Sequence, residues 1–155
     1  MTISTYPDGL DCVWLASDRN GHLGAFVTGG IGPIPVSVLG TTLLAIEEIE
    51  GVVCELPPIS EVRLLVQMKR PFDFIAMAQR GFFVYDWRDV HRTVHELTHS
   101  YEAIAFPSNP ITMEMLPEPL RAVAGETLLP MLAFVDETAL DIMDKLDCLS
   151  GGQMQ

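Results

Sequence analysis

The stretch VWLASDRNGHLGAFVTGGIGPIP, residues Val13–Pro35, decides the fold. Two apolar runs, Val13–Ala16 and Leu23–Val27, lie on either side of the tetrapeptide Asp18–Gly21. Asn followed by Gly tolerates the positive φ angles of tight turns, so this order predicts a β-hairpin. Both runs are apolar at nearly every position, which is typical of strands that are covered on both faces. We therefore expect the hairpin to lie at the centre of the core.

A helix is predicted to follow the hairpin, over about Pro35–Glu50. Pro35 suits the first position of a helix because a proline there leaves no backbone N–H unbonded. Gly51 is expected to end the helix. One side of this helix is apolar and the other carries glutamates, as in a helix that covers a core. The apolar residues are Leu39, Leu43, Ile46 and Ile49, and the glutamates are Glu47, Glu48 and Glu50.

Periodicity, proline and glycine mark the remaining elements. Residues Glu61–Lys69 alternate between polar and apolar side chains, which predicts a strand with one buried face. Residues 126–149 are ambiguous, since Met131–Val135 resembles a strand and Thr138–Leu149 has apolar residues at helical spacing. The other expected elements are a helix over Pro71–Arg80, strands over Phe82–Tyr85 and Tyr101–Phe106, and a helix over Pro119–Ala124.

Hairpins with a few interspersed helices indicate an α+β fold around a mostly antiparallel sheet. A chain of 155 residues is long enough to bury one substantial core. No internal repeat or long linker divides it. We expect residues 1–150 to form a single globular domain and residues 151–155 to form a flexible tail.

The chain is strongly acidic, with 21 Asp and Glu against nine Lys and Arg and a net charge of −12. Nucleic acid and anionic membranes attract positive charge, so the balance argues against both as partners. It favours a basic protein partner, whose approach a negative surface accelerates. Acidity that serves solubility alone is the alternative explanation.

Cellular location and redox state follow from two further features. Residues Met1–Pro7 lack the positive start and apolar core of a secretion signal, and no apolar run approaches the length of a membrane span. We therefore expect a cytoplasmic protein. Its three cysteines, Cys12, Cys54 and Cys148, are odd in number and widely spaced, which favours buried reduced thiols over disulfides or a metal site.

The segment His95–His99 (HELTH) matches the HExxH pattern of zinc peptidases. On a helix, residues four apart share one face, so His95 and His99 would bind one zinc ion and Glu96 would act as the general base. Zinc peptidases with a glutamate as third ligand carry it in an ExxxD pattern on a later helix. By that resemblance Glu137 would be the third ligand and Asp141 would orient a histidine.

A second interpretation of the same segment needs no metal. His91, His95 and His99 fall four residues apart, so they also fit one solvated helix face. The helix has room for about three turns between Asp89 and Tyr101, and β-branched residues weaken it. We expect no cofactor and no catalytic residue, and we keep zinc with Glu96 as the alternative hypothesis.

Several stretches together resemble small uncharacterised bacterial proteins of the immunity type, which are encoded beside polymorphic or secreted antibacterial toxins. They are Asp11–Asp18, Gly21–Gly30, Gly32–Pro35, Gly81–Arg92, Ala105–Ile111 and Leu116–Leu120. The resemblance implies a protein that binds its cognate toxin inside the producing cell and blocks the toxin's active site. An acidic surface would suit a basic, nuclease-like toxin.

Under this hypothesis the candidate contact residues are acidic side chains, namely Glu47, Glu48, Glu50, Asp86 and Asp89. An ordinary solvated carboxylate is the simpler explanation for each of them. A structural or assembly domain without any toxin partner is the third hypothesis. The sequence does not identify the partner or the oligomeric state.

Overall fold

The predicted hairpin is confirmed in the computed structural model, which describes residues 6–88, 91–93, 96–97 and 100–151. Strand β1 (Val13–Asp18) pairs antiparallel with β2 (Leu23–Val27), with Val13 opposite Val27. Gly21 turns the chain with a φ of 75°. Every residue of both strands is buried, as the apolar runs predicted. The hairpin is thus covered on both faces.

A seven-stranded mixed sheet is built outward from this hairpin. Strand β5 (Phe83–Arg88) runs parallel to β2, and β8 (Ser100–Pro107) is antiparallel to β5. Strand β4 (Val62–Leu64) and strand β10 (Ala139–Leu140) both pair with β8, while β9 (Leu128–Leu129) pairs parallel with β1. The sheet order is β10-β8-β5-β2-β1-β9, which confirms an α+β fold.

Two short ribbons lie outside the main sheet. Strand β3 (Ile34–Pro35) pairs with β11 (Cys148–Leu149), and β11 lies close to the last described residue. Strand β6 (His91–Thr93) pairs antiparallel with β7 (Glu96–Leu97).

Helices cover the first face of the sheet. Helix α1 (Val36–Leu39) is a single turn after β3 and belongs to the cover of the other face. The helices of the first face are α2 (Ile46–Cys54), α3 (Phe72–Gln79) and α4 (Leu120–Gly125). Helices α2 and α4 pack on β1, and α3 packs on β5 and β8. The core between them is mainly aliphatic and includes Leu15, Ile49, Val53, Val84 and Ile104. The predicted helices at Pro71–Arg80 and Pro119–Ala124 are confirmed to within about a residue.

Aromatic side chains fill the second face. Trp14 stacks on Phe26 with ring centroids 4.2 Å apart, and Phe26 stacks on Tyr85 at 5.0 Å. Helix α1, the β3–β11 ribbon and two 3-10 turns, Phe134–Asp136 and Ile142–Asp144, supply the cover. Gly24 is needed beneath this cover, because a Cβ there would lie 2.8 Å from the Phe134 ring.

Two predictions over residues 35–69 are partly wrong. The single helix over Pro35–Glu50 is instead α1 and α2, separated by residues 40–45, which are not helical. Gly51 does not end α2, because the helix continues to Cys54. Of the strand over Glu61–Lys69 only Val62–Leu64 pairs with a neighbour, and those residues remain partly or largely exposed.

The predictions for residues 126–149 are wrong. Met131–Val135 is not a strand, and Thr138–Leu149 is not a helix but contains β10, a 3-10 turn and β11. The helical spacing of Leu140, Met143 and Leu146 does not reflect one buried face, since Met143 is exposed. The backbone of this segment bonds to the edge of the sheet instead: Ala103 N–H donates to the Thr138 carbonyl at 2.9 Å.

Within the described part of the chain, no helix is both long and apolar enough to cross a bilayer. The tail predicted at residues 151–155 lies outside the described residues, apart from Gly151.

Candidate partner-binding face

Helix α2 carries three of the predicted contact residues. Glu47 and Glu48 lie in its first turn, where the positive end of the helix dipole favours negative charge. Ile49 and Val53, four residues apart, are buried against the sheet and fix the orientation of the helix. Glu47 and Glu48 are therefore exposed, and Glu50 is half-buried at the margin of the core.

Two aspartates from other parts of the fold join these glutamates. Asp73 in the first turn of α3 and Asp11 before β1 both act electrostatically on Glu50. Asp11 is held in place because its Oδ1 accepts the Gly29 N–H at 2.9 Å. We call the surface formed by Asp11, Glu47, Glu48, Glu50 and Asp73 the α2 acidic face. It combines residues that lie more than 60 positions apart in the sequence.

Glu50 is the member of the α2 acidic face whose pKa is raised by its surroundings. Partial burial raises the pKa of the Glu50 carboxyl, and the charges of Asp73 and Asp11 raise it further. Among the described residues, no Lys or Arg forms an ion pair with any member of the face. Ionised Glu50 is thus repelled by Asp73 and Asp11 in the free protein, and a cation from outside would offset this repulsion.

The other two predicted contacts are not part of this group. Asp86 lies on β5, opposite Glu102 of β8, is half-buried, and already has an interaction partner. It is not among the carboxylates that act on Glu50. Asp89 lies outside the described residues. The structure therefore brings together Glu47, Glu48 and Glu50 but leaves Asp86 apart.

The helix predicted for the HELTH segment is wrong wherever the segment is described. Residues His91–Thr93 and Glu96–Leu97 form the antiparallel strands β6 and β7, with His91 opposite Leu97. Glu96 is thus on a strand and not beside a histidine on a helix face. His95 and His99 lie outside the described residues, so zinc binding by them stays a prediction.

The proposed third zinc ligand is also not on a helix. Glu137 follows the 3-10 turn Phe134–Asp136 in an extended conformation, and its carbonyl accepts the Tyr85 hydroxyl at 2.7 Å. Asp141 is also extended, and it precedes the 3-10 turn Ile142–Asp144. Within the described residues no group of three or more His, Cys, Asp or Glu side chains could hold a metal ion. Metal analysis remains the test of the zinc hypothesis.

The three cysteines are free thiols. Burial raises the pKa of the Cys12 thiol to about 11, helped by the charges of Glu47 and Asp11. Burial also raises the pKa of Cys148 to about 12 and that of Cys54 above its usual value. A thiol is nucleophilic as the thiolate, so these shifts oppose catalytic roles for the cysteines.

Asp18 is a buried carboxylate that the sequence analysis treated only as part of a turn. It is 6% exposed and accepts the backbone N–H groups of Asn20, His22 and Phe134 at 2.8–2.9 Å. An Asp side chain in a turn often accepts the backbone N–H two residues further on, so the sequence could have suggested the bond from Asn20. The bond to Phe134, 116 residues away, has no local signal. Asp18 thus ties the hairpin turn to the cover of the second face.

Comparison with known proteins finds no relative of this chain. No family model, no curated protein and no solved structure matches it. Function must therefore be inferred from the chain's own charges, burial and contacts.

Proposed function

We propose that this chain is a non-enzymatic binding protein of the immunity type. It binds a basic, nuclease-like protein toxin through the α2 acidic face, blocks the toxin's active site and acts in the cytoplasm of the toxin-producing cell. The observation that carries the proposal is the α2 acidic face itself. There, the charges of Asp73 and Asp11 act on Glu50, while Glu47 and Glu48 lie in the same helix as Glu50. None of these five carboxylates forms an ion pair with a Lys or Arg among the described residues.

Electrostatics favours a basic protein over other partners. A net charge of −12 repels nucleic acid and anionic membranes and attracts a cationic surface. Lysines or arginines docked on the face would offset the repulsion of ionised Glu50 by Asp73 and Asp11. Steering by such charges raises association rates at low salt.

The same charges explain how binding would inhibit the toxin. A nuclease holds its polyanionic substrate on a basic surface around its active site. An acidic protein surface presents similar charge to those lysines and arginines and competes for them. The sequence resemblance to immunity proteins supports this interpretation of the charge.

Co-expression with the product of the neighbouring gene tests the proposal. We expect that product to be toxic alone, to be tolerated with this chain, and to co-purify with it. Replacing two exposed or half-exposed glutamates, Glu47→Lys with Glu50→Lys, should weaken the complex about 100-fold, since each reversed charge at a close pair costs more than 1 kcal/mol. Binding and its salt dependence are measured by surface plasmon resonance.

The matched control is Glu114→Lys with Glu126→Lys. These two glutamates are exposed and lie outside the α2 acidic face, and the double variant has the same net charge. We expect the control to change the affinity less than about threefold, through long-range charge alone. Equal losses for both double variants, or an association rate independent of salt, would rule out docking on this face. A neighbouring product that neither harms cells nor binds would favour an assembly domain instead.

Zinc analysis tests the enzymatic alternative separately. The purified chain is dialysed and its zinc content is measured before and after chelation. One zinc per chain that is lost in His95→Ala would overturn a non-enzymatic function. A chain without zinc, whose melting temperature does not change in chelator, would exclude the zinc peptidase.

A further inference from the structure

A groove lies at the β9 edge of the sheet, beside the aromatic second face. It has a volume of about 400 Å³ and is lined by residues from two stretches, 128–132 and 137–145. The lining residues are Leu128, Leu129, Pro130, Met131, Leu132, Glu137, Asp144 and Lys145. Leu129 and Leu132 belong to the aromatic core, whereas α2 packs on the aliphatic core of the opposite face. The groove is thus separate from the α2 acidic face.

Two large apolar side chains at this groove are exposed to solvent. Met131 is 86% exposed, more than any other large hydrophobic residue in the described part of the chain, and Leu128 is 53% exposed. Backbone contacts fix this arrangement, because Arg19 N–H donates to the Leu132 carbonyl at 2.9 Å and Leu132 N–H to the Leu129 carbonyl at 3.4 Å. Methionine adapts its shape to different apolar partners, which suits a binding surface.

The charge around the groove is negative. Its lining contains two carboxylates, Glu137 and Asp144, and one cation, Lys145. Asp136, which precedes Glu137 in the chain, is already paired with Arg19 in an exposed contact at 3.9 Å and is not counted in this charge. An apolar surface with this charge complements a side chain that is apolar and flanked by cations.

The same charge decides among possible occupants. A second copy of this chain would bring two acidic grooves together, with a net charge of −12 on each molecule. A volume of about 400 Å³ lies within the range of roughly 300–1,000 Å³ of pockets that enclose small molecules. It is large enough for one anchor side chain of a partner protein.

We propose that this groove is a second docking site, which receives a protein segment bearing a large apolar anchor between lysines or arginines. The anchor packs against Leu128 and Met131, and the cations lie beside Glu137 and Asp144. This site does not depend on the partner being a toxin or on the α2 acidic face. It adds an apolar contact at a place separate from the carboxylates of the α2 acidic face.

Three synthetic peptides test the groove on the full chain: acetyl-GKLWKG-amide, acetyl-GELWEG-amide and acetyl-GKSSKG-amide. The chain is labelled with ¹³C at its methionine methyl groups, and each peptide is titrated by NMR. We expect the first peptide to shift the Met131 methyl signal saturably. The acidic peptide and the peptide without an apolar anchor should bind at least about tenfold more weakly, since each lacks one of the two complementary features.

Met115 provides the matched control, because it is also exposed, at 56%, and lies on a 3-10 turn outside the groove lining. Met131→Asp should weaken binding of the first peptide about tenfold, and Met115→Asp less than twofold. Lys145→Glu should strengthen binding about two- to threefold by removing the one cation of the lining.

Three other outcomes of these titrations would each overturn the proposal. No shift at Met131, or equal shifts at Met131 and Met115, would show that the groove is not a site. Equal binding of the acidic and basic peptides would exclude charge recognition. A Met131 shift that depends on protein concentration without peptide would make the groove a self-association surface. None of these results bears on α2, so the two proposals fail independently.

Discussion

Three helices of six to nine residues cover the aliphatic face of the sheet, whereas short strands, 3-10 turns and the single turn of α1 cover the aromatic face. A helix satisfies its own backbone and needs only an apolar side to dock. The cover of the aromatic face takes its hydrogen bonds from the sheet instead: Asp18 accepts the Phe134 N–H, and Tyr85 donates to the Glu137 carbonyl. The first cover is therefore specified locally, and the second depends on side chains far away in sequence.

The largest expected effect is on the packing of the aromatic face. Phe134 is fully buried against Phe26, Phe83 and Tyr85. Phe134→Ala should lower the free energy of unfolding by about 3–5 kcal/mol, because it leaves a cavity between the cover and the sheet. Urea denaturation measures the change. The neighbouring Val135 is 54% exposed, and Val135→Ala should cost less than about 0.5 kcal/mol. Similar costs for the two variants would mean that Phe134 does not hold the cover.

Removing the buried carboxylate of Asp18 should have the next largest effect. Asp18→Ala leaves the N–H groups of Asn20, His22 and Phe134 without their acceptor and should cost about 2–3 kcal/mol. Asp136→Ala removes an exposed carboxylate whose ion pair with Arg19 spans 3.9 Å, so it should cost less than about 0.5 kcal/mol. Amide hydrogen exchange at Phe134 adds a local measurement. Unchanged protection there in Asp18→Ala would contradict the assigned bond.

Tyr85→Phe isolates a single hydroxyl between the sheet and its cover. The hydroxyl lies 3.1 Å from the Phe134 carbonyl and 2.7 Å from the Glu137 carbonyl. Its loss should cost about 1 kcal/mol, since the ring and its packing remain. Thermal and urea unfolding measure this cost. A neutral result would show that water replaces the hydroxyl and that packing alone holds this part of the cover.

The smallest effect belongs to the helical face and has the opposite sign. The pKa of Glu50 is raised in the folded protein, so its ionised form destabilises the fold at pH values above that pKa. Glu50→Gln should therefore increase stability by about 0.5 kcal/mol at pH 7, a size typical of one relieved like-charge contact. The gain should vanish as the pH falls below the unfolded value of about 4.3, where Glu50 is protonated in both states.

The control for Glu50→Gln is Glu126→Gln, which removes an exposed carboxylate at the end of α4. Denaturation curves for both variants are compared between pH 3 and pH 8, a range set by the usual glutamate pKa of about 4.3. A gain of equal size and pH dependence in Glu126→Gln would assign the effect to net charge and not to Asp11 and Asp73.

The candidate contacts show the same division between local and distant information. Glu47, Glu48 and Glu50 could be predicted as candidate contacts from the sequence. Three glutamates opposite a set of apolar residues indicate the solvent-exposed side of a helix. Asp11 and Asp73 were not predicted as their neighbours, since a loop and another helix bring them there. The groove beside Met131 was not predicted either, because it forms where two irregular stretches meet. No sequence periodicity predicts a groove between two irregular stretches.

The sequence alone determined the centre of this protein. The apolar runs of β1 and β2, with Asn20–Gly21 between them, specify a hairpin covered on both faces through local backbone preferences and burial. Tertiary structure decided residues 126–149, which have the apolar spacing of a helix but bond to Asp18, Tyr85 and the β8 edge. Hydrogen bonds to a fixed sheet outweigh a weak local preference there, since helix propensities differ by well under 1 kcal/mol per residue for most amino acids.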